Sequence, residues 1–73
     1  MFKSNVREFM DKRKKTVRGI AEETGLAPGS VHRATQDDTI GGCQLNTLAK
    51  IADVLGVKTK RLYEEMNDEE RGL

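Results

Sequence analysis

The chain has 73 residues, of which 36% are hydrophobic and 34% are charged, with a single Pro and a single Cys. This length allows one small domain, and one Cys excludes an internal disulfide and a Cys-based zinc site. No apolar run approaches the ~20 residues that span a bilayer, and Arg7 and Glu8 interrupt any N-terminal signal sequence, so we expect a cytoplasmic protein without a membrane partner.

Charge is distributed unevenly along the chain, although the formal net charge is only +1. Residues 1–36 contain eight Lys or Arg and four Asp or Glu, whereas residues 37–73 contain five and eight. The N-terminal half is therefore basic, as expected for the half of a protein that contacts nucleic acid.

The first helix is predicted to run from about Lys3 to Lys14, and Ser4 could cap its start. Its apolar positions share one helical face: Phe2, Val6, Phe9 and Met10. The helix ends in the basic run 12–15. These cations suit a helix C-terminus, and they equally suit contact with phosphates; the two interpretations are compatible.

Residues 16–36 have the pattern of two short helices joined by a tight turn. One apolar face recurs at helical spacing in Val17, Ile20, Ala21 and Thr24. Gly25 can take the left-handed conformation that ends a helix, and Pro28 suits the first position of the next helix. Because Ala21 is small, the two helices can cross closely. This arrangement predicts a helix-turn-helix.

The second helix of this motif has two different faces. Val31, Ala34 and Thr35 cluster on the inner side. The outer side combines small and hydrogen-bonding residues, namely Gly29, His32, Arg33 and Gln36, with Pro28 and Ser30 on the flanks. Arg can bind guanine bidentately and Gln can bind adenine in the same way, so this face suits a major groove. The alternative is a solvated polar face on an ordinary helix pair.

The remaining segments alternate between loop and helix signals. Residues 37–43 are predicted to form a loop by composition, in which Cys43 is a partly buried filler rather than a reactive thiol. A strongly periodic helix follows, with apolar positions Leu45, Leu48, Ile51, Ala52 and Leu55, and Gly56 ends it. A last helix is predicted to begin near Thr59 and to bury Leu62, and the acidic tail 67–73 is expected to fray.

The chain resembles the Cro and phage-repressor family of helix-turn-helix regulators over nearly its whole length. The matching residues are Thr16, Ile20-Ala21, Gly25-Leu26, Ser30-Val31, Arg33, Leu48, Ile51-Ala52, Leu55-Gly56-Val57 and Leu62. The resemblance implies an all-α fold, a compact five-helix bundle over residues 1–66. Val17 replaces the Gln common in the family, and Pro28 and Gly29 stand where polar base-reading side chains are common.

We therefore expect a sequence-specific DNA-binding regulator, most simply a repressor that occupies an operator, with no catalytic residues, metal, cofactor or small-molecule ligand. The predicted base-reading residues are Gly29, Ser30, His32, Arg33 and Gln36. The predicted contacts with the DNA backbone are Lys14, Lys15, Thr16, Arg18, Thr39, Asn46 and Thr47. Asn46 and Thr47 could equally act as simple caps.

The partner is predicted to be double-stranded DNA, bound through its major groove by a homodimer. Tyr63, Met66 and the C-terminal helix are the expected self-contact. The alternative function is a protein-interaction module, antitoxin-like or adaptor, on the same fold.

Overall fold

The structure is a computed structural model that describes residues 1–66. Within them lie five α-helices, one 3-10 helix and two short strands. In chain order these are β1 (Phe2–Ser4), α1 (Val6–Arg13), α2 (Val17–Thr24), α3 (Pro28–Ala34), α4 (Asp37–Ile40), α5 (Leu45–Leu55), the 3-10 helix (Thr59–Leu62) and β2 (Tyr63–Glu65). The predicted all-α bundle of five helices is confirmed, with a minor two-stranded sheet added. The tail predicted to fray, residues 67–73, lies outside the described residues.

Every helix contributes apolar side chains to one shared core. The buried hydrophobic residues are Val6, Met10, Ile20, Ala21, Val31, Ala34, Ile40, Leu48, Ile51, Ala52, Leu55 and Leu62. They occur at the helical spacing read from the sequence, and each fully buried Val, Leu or Ile stabilises the fold by about 1.5–3 kcal/mol. Leu45, the apolar residue that begins α5, is an exception and remains 68% exposed.

The N-terminus forms a strand where a helix was predicted from Lys3. β1 pairs antiparallel with β2, with Phe2 opposite Glu65 and Ser4 opposite Tyr63. The Phe2 ring packs edge-on against the Tyr63 ring, with centroids 5.9 Å apart. These partners, some 60 residues away in sequence, override the local helical pattern. Helix α1 therefore begins only at Val6, whose amide donates to Ser4 Oγ at 3.3 Å.

The segment predicted as a loop contains helix α4. The amides of Thr39 and Ile40 donate to the Gln36 carbonyl at 3.3 and 2.9 Å. Asp37 and Asp38 occupy the first turn, where carboxylates interact favourably with the helix dipole. Ile40 is 2% exposed. The burial of Ile40 anchors this helix, whereas the polar, Gly-rich composition of the segment had predicted a loop.

The last helix begins at Thr59, as predicted, but it is short and of the 3-10 type. Thr59–Leu62 form a single 3-10 turn, after which the chain extends into β2. Leu62 is buried as predicted, and its carbonyl accepts from the Asn5 amide at 2.8 Å. Tyr63, one of the residues of the expected self-contact, then pairs with Ser4 of β1 in the same chain.

Left-handed residues end three of the helices. Gly25 (φ +79°) follows α2 and Gly56 (φ +72°) follows α5, as predicted. Lys14 does the same after α1 with φ +54°, a conformation that costs a residue with a Cβ roughly 1–2 kcal/mol. The Lys15 amide compensates by donating to the Met10 carbonyl at 2.9 Å.

Candidate nucleic-acid interface

Helices α2 and α3 form the predicted helix-turn-helix, and hydroxyl groups hold its geometry. Thr16 caps α2, because its Oγ1 accepts from the Gly19 amide at 3.0 Å. At the other end, Thr24 Oγ1 donates to the Ile20 carbonyl at 2.7 Å and accepts from the Leu26 amide at 3.2 Å. The turn is thereby tied to the helix that precedes it, so α3 leaves it in a defined direction.

Helix α3 presents the two faces that the sequence predicts. Val31 and Ala34 are fully buried, and Thr35 is 8% exposed. Gly29, His32 and Arg33 are exposed on the opposite side, and Ser30 is half-buried. A Cβ built on Gly29 would meet no atom within 4 Å. The outer face is therefore open enough for another surface to approach the α3 backbone closely.

Gln36 does not belong to this outer face. Helix α3 ends at Ala34, and Gln36 is extended (φ −110°, ψ 136°) at the start of α4. Its side chain is half-buried, and Nε2 donates to Thr35 Oγ1 at 3.2 Å. The prediction that Gln36 shares a helical face with Arg33 was wrong, because the hydroxyl of Thr35 helps to end the helix.

Three hydroxyl groups donate to the last three carbonyls of α3. Thr35 Oγ1 donates to the His32 carbonyl at 2.6 Å, Thr39 Oγ1 to the Arg33 carbonyl at 2.7 Å, and Ser4 Oγ to the Ala34 carbonyl at 2.6 Å. They satisfy the acceptors that a helix C-terminus leaves free. The contribution of Ser4 was missed, since no local signal links it to a residue 30 positions away. The Thr39 hydroxyl proton is also committed to this bond.

An open cleft of about 580 Å³ lies between α3, α4 and the start of α5. It brings together four residues predicted to contact DNA, which are Ser30, Arg33, Thr39 and Thr47. Cys43 lies in the same wall, with Sγ 3.7 Å from the Thr39 carbonyl oxygen. Burial raises the pKa of the Cys43 thiol, and the nearby Arg33 charge partly opposes that shift. The thiol is therefore neutral near pH 7.

The first turn of α5 has free backbone donors at the edge of this cleft. No side-chain hydrogen bond caps α5, so the interpretation of Asn46 and Thr47 as simple caps is not supported. Asn46 is exposed and Thr47 is half-buried. Unsatisfied amides at a helix N-terminus favour an anion such as phosphate.

The other predicted backbone contacts lie at the start of α2. Lys14, Thr16 and Arg18 are exposed. Lys15 differs, because its Nζ lies 3.0 Å from Glu23 Oε2 in an ion pair. Its charge is thus partly compensated within the chain, whereas the charge of Lys14 has no such partner among residues 1–66.

Residues 1–66 contain no group of three or more His, Cys, Asp or Glu that could hold a metal ion. No helix in this part of the chain has the length and hydropathy required to cross a membrane.

Comparison with known proteins agrees with this geometry. A family model described as a Cro/C1-type HTH DNA-binding domain matches residues 5–65. The crystal structure of a candidate DNA-binding protein from Bacteroides fragilis superposes with a TM-score of 0.71 at 22% identity, covering 88% of this chain and 100% of that one; it supports the fold alone. A search of curated proteins gave no match. The family match spans the helix-turn-helix and the core that supports it, and the chain therefore belongs to the Cro/C1-type helix-turn-helix family of DNA-binding domains.

Proposed function

We propose that this protein is a sequence-specific transcriptional regulator that acts as a repressor by occupying an operator, with α3 in the major groove. Domains of its family are typically not enzymes. The observation that carries the proposal is the exposed polar face of α3, backed by the fully buried Val31 and Ala34. Buried anchors of this kind hold the outer side chains in one orientation, which sequence readout requires.

Arg33 is the principal base-reading residue in this proposal. It is exposed near the middle of the outer face, and a guanidinium can donate two hydrogen bonds to guanine O6 and N7. His32 and Ser30 supply further donors and acceptors, and Gly29 allows the α3 backbone to approach the bases. Gln36 contributes less than we expected from the sequence, because its amide is engaged with Thr35.

Two groups of residues supply contacts with the DNA backbone in this proposal. Lys14, Thr16 and Arg18 lie at the start of α2, and Lys15 adds a partly compensated charge. Thr39, Asn46 and Thr47 lie with the free amides of α5 on the other side of α3. Such contacts position the recognition helix without reading sequence.

The experiment that tests this proposal is selection from randomised duplexes, followed by footprinting and titration of the selected site. We expect a recurrent site and a measurable preference over scrambled duplex. His32→Ala should reduce that preference with the thermal midpoint nearly unchanged, since His32 is exposed. A loss of stability as large as that of a core truncation would show that His32 is structural. Wild-type protein that is folded but binds no duplex at low salt would contradict the regulator and leave a protein-interaction module.

The charge contribution can be separated from base reading with Lys14→Ala. If Lys14 contacts a phosphate, its loss should weaken all duplexes alike and flatten the plot of log affinity against log salt by about 0.9. A role only at the end of α1 predicts an unchanged slope and a small loss of stability.

We also propose that two copies bind a palindromic operator. One small motif reads few base pairs, and a symmetric pair contacts half-sites one turn apart. Tyr63 and Met66 are half-buried beside β1, so the proposed contact uses the sheet region and no C-terminal helix. Sedimentation on and off DNA tests this: two chains per selected duplex are expected, and one chain at saturation with an asymmetric footprint would contradict it.

A further inference from the structure

A second basic surface is formed by the end of α1 and the segment that follows α5. An open groove of about 640 Å³ separates the end of α1 from the segment that joins α5 to the 3-10 helix. We call it the basic groove. Five cationic side chains line it: Lys12, Arg13, Lys58, Lys60 and Arg61. Its apolar part is formed by Phe9 and Val57, and no carboxylate among residues 1–66 lines it.

The charges of the basic groove are uncompensated within residues 1–66. The ion pairs found there, Lys3 with Glu64 and Lys15 with Glu23, include none of the five. Lys12 instead lies near an aromatic ring, with Nζ 5.7 Å from the centroid of the Phe9 ring. Like charges gathered in this way repel one another, so the arrangement costs stability.

Helix-end electrostatics account for only part of this cluster. Lys12 and Arg13 lie in the last turn of α1, where cations are favourable. Lys60 and Arg61 lie at the end of the 3-10 helix. Lys58, however, lies two residues beyond Gly56, which ends α5, and precedes the 3-10 helix, so it belongs to the last turn of neither helix. A bound anion would explain why all five charges lie together.

The position of the groove indicates which anion. Lys12 and Arg13 come directly before Lys14, Lys15 and Thr16, the proposed backbone contacts at the start of α2. We propose that the basic groove holds the sugar-phosphate backbone of the duplex that flanks the site read by α3. This inference rests on the proposed function, and it adds a contact that extends the DNA footprint beyond the recognition site.

The proposal predicts a measurable salt dependence. Each phosphate contact contributes a slope of about 0.9 in log affinity against log salt, which corresponds to about fivefold in affinity at ~0.15 M salt. Lys58 and Lys60 are exposed, so replacing them by Gln removes charge while keeping most of the side chain.

The experiment compares two duplexes that contain the same selected site. One has about 20 base pairs, enough for two half-sites, and the other extends it by about one helical turn on each side. Wild type, Lys58→Gln, Lys60→Gln and the double variant are titrated on both duplexes over a salt series. Lys50→Gln is the matched control, because it removes one exposed charge from α5 that has no ion pair among residues 1–66 and does not line the groove. Thermal unfolding checks that each variant is folded, and the single variants serve if the double variant is not.

We expect wild type to bind the long duplex more tightly and with a steeper salt slope than the short one. Each groove variant should lose about fivefold on the long duplex at ~0.15 M salt, with little change on the short one, and Lys50→Gln should behave as wild type on both. Groove variants that match wild type on the long duplex, or that weaken both duplexes equally, would overturn the proposal. Wild type that is folded but binds neither duplex would instead contradict the proposed function, so the two failures are distinguishable.

Discussion

Ser4 stabilises the recognition helix although it lies outside the helix-turn-helix. Its Oγ donates to the carbonyl of Ala34, the last residue of α3, at 2.6 Å and accepts from the Val6 amide at 3.3 Å. Its amide also donates to Asp37 Oδ1 at 2.8 Å. One side chain thus joins the start of α1 to the end of α3, and Ser4→Ala removes both hydroxyl bonds while leaving the backbone bond in place.

The expected cost of Ser4→Ala follows from these contacts. Ala34 is fully buried, and a buried acceptor that loses its donor costs about 1–3 kcal/mol. A domain of this size has a free energy of unfolding of roughly 4–11 kcal/mol at the usual stability per residue. The variant should therefore remain folded, with a thermal midpoint lowered by about 4–8 °C for each 1 kcal/mol lost.

Thermal and urea unfolding, followed by circular dichroism, measure this effect. Ser30→Ala is the matched control, because the Ser30 hydroxyl makes no hydrogen bond within the described residues and lies on the outer side of α3. That variant should change the free energy of unfolding by less than about 0.5 kcal/mol. A Ser4→Ala protein as stable as Ser30→Ala would show that the Ser4–Ala34 bond does not support α3.

Three further predictions concern the motif and its cleft. Ala21→Glu should lower the free energy of unfolding by more than about 3 kcal/mol, because Ala21 is only 6% exposed and the substitution would bury a charge. A cooperative thermal transition near the wild-type midpoint would contradict this prediction. Gly25→Ala should lower the free energy of unfolding by about 1–2 kcal/mol, because Gly25 has a φ of +79°. Gly29→Ala is the comparison: its new methyl group has open space around it, so the free energy of unfolding in the same urea titration should stay unchanged or rise. Burial raises the pKa of Cys43, so alkylation by iodoacetamide should be slower in the folded than in the urea-unfolded protein. Stability should also fall as the pH rises through the range where the unfolded thiol ionises first; equal alkylation rates would refute the shift.

Features determined by neighbouring residues could be predicted from the sequence. Thr16, Gly25, Pro28 and Gly56 act within one or two turns of their own position, and the structure places each as expected. The inner and outer faces of α3 follow from helical spacing alone. The helix-turn-helix and its exposed face could therefore be predicted from the sequence alone.

Features determined by distant partners could not be predicted. Strand β1 is held by the ring contact of Phe2 with Tyr63 and by the hydrogen bonds of Ser4 to Asp37 and Ala34. Local propensity does not predict such long-range contacts. The end of α3, and with it the position of Gln36, depends partly on hydroxyl bonds made after the helix. Only part of the basic groove could be predicted from the sequence. The basic run 12–15 is evident there, but its proximity to residues 58–61 is known only from the folded structure.

The most direct test of the account is the effect of Arg33→Ala on the selected duplex compared with a scrambled duplex, across a salt series. Arg33 is exposed on α3 and is proposed to read one base pair, so its loss should cost about 1–3 kcal/mol on the selected duplex and relax the preference at one position. Affinity for the scrambled duplex should change much less. Equal losses on the two duplexes would contradict base reading and reduce Arg33 to a contact with the DNA backbone.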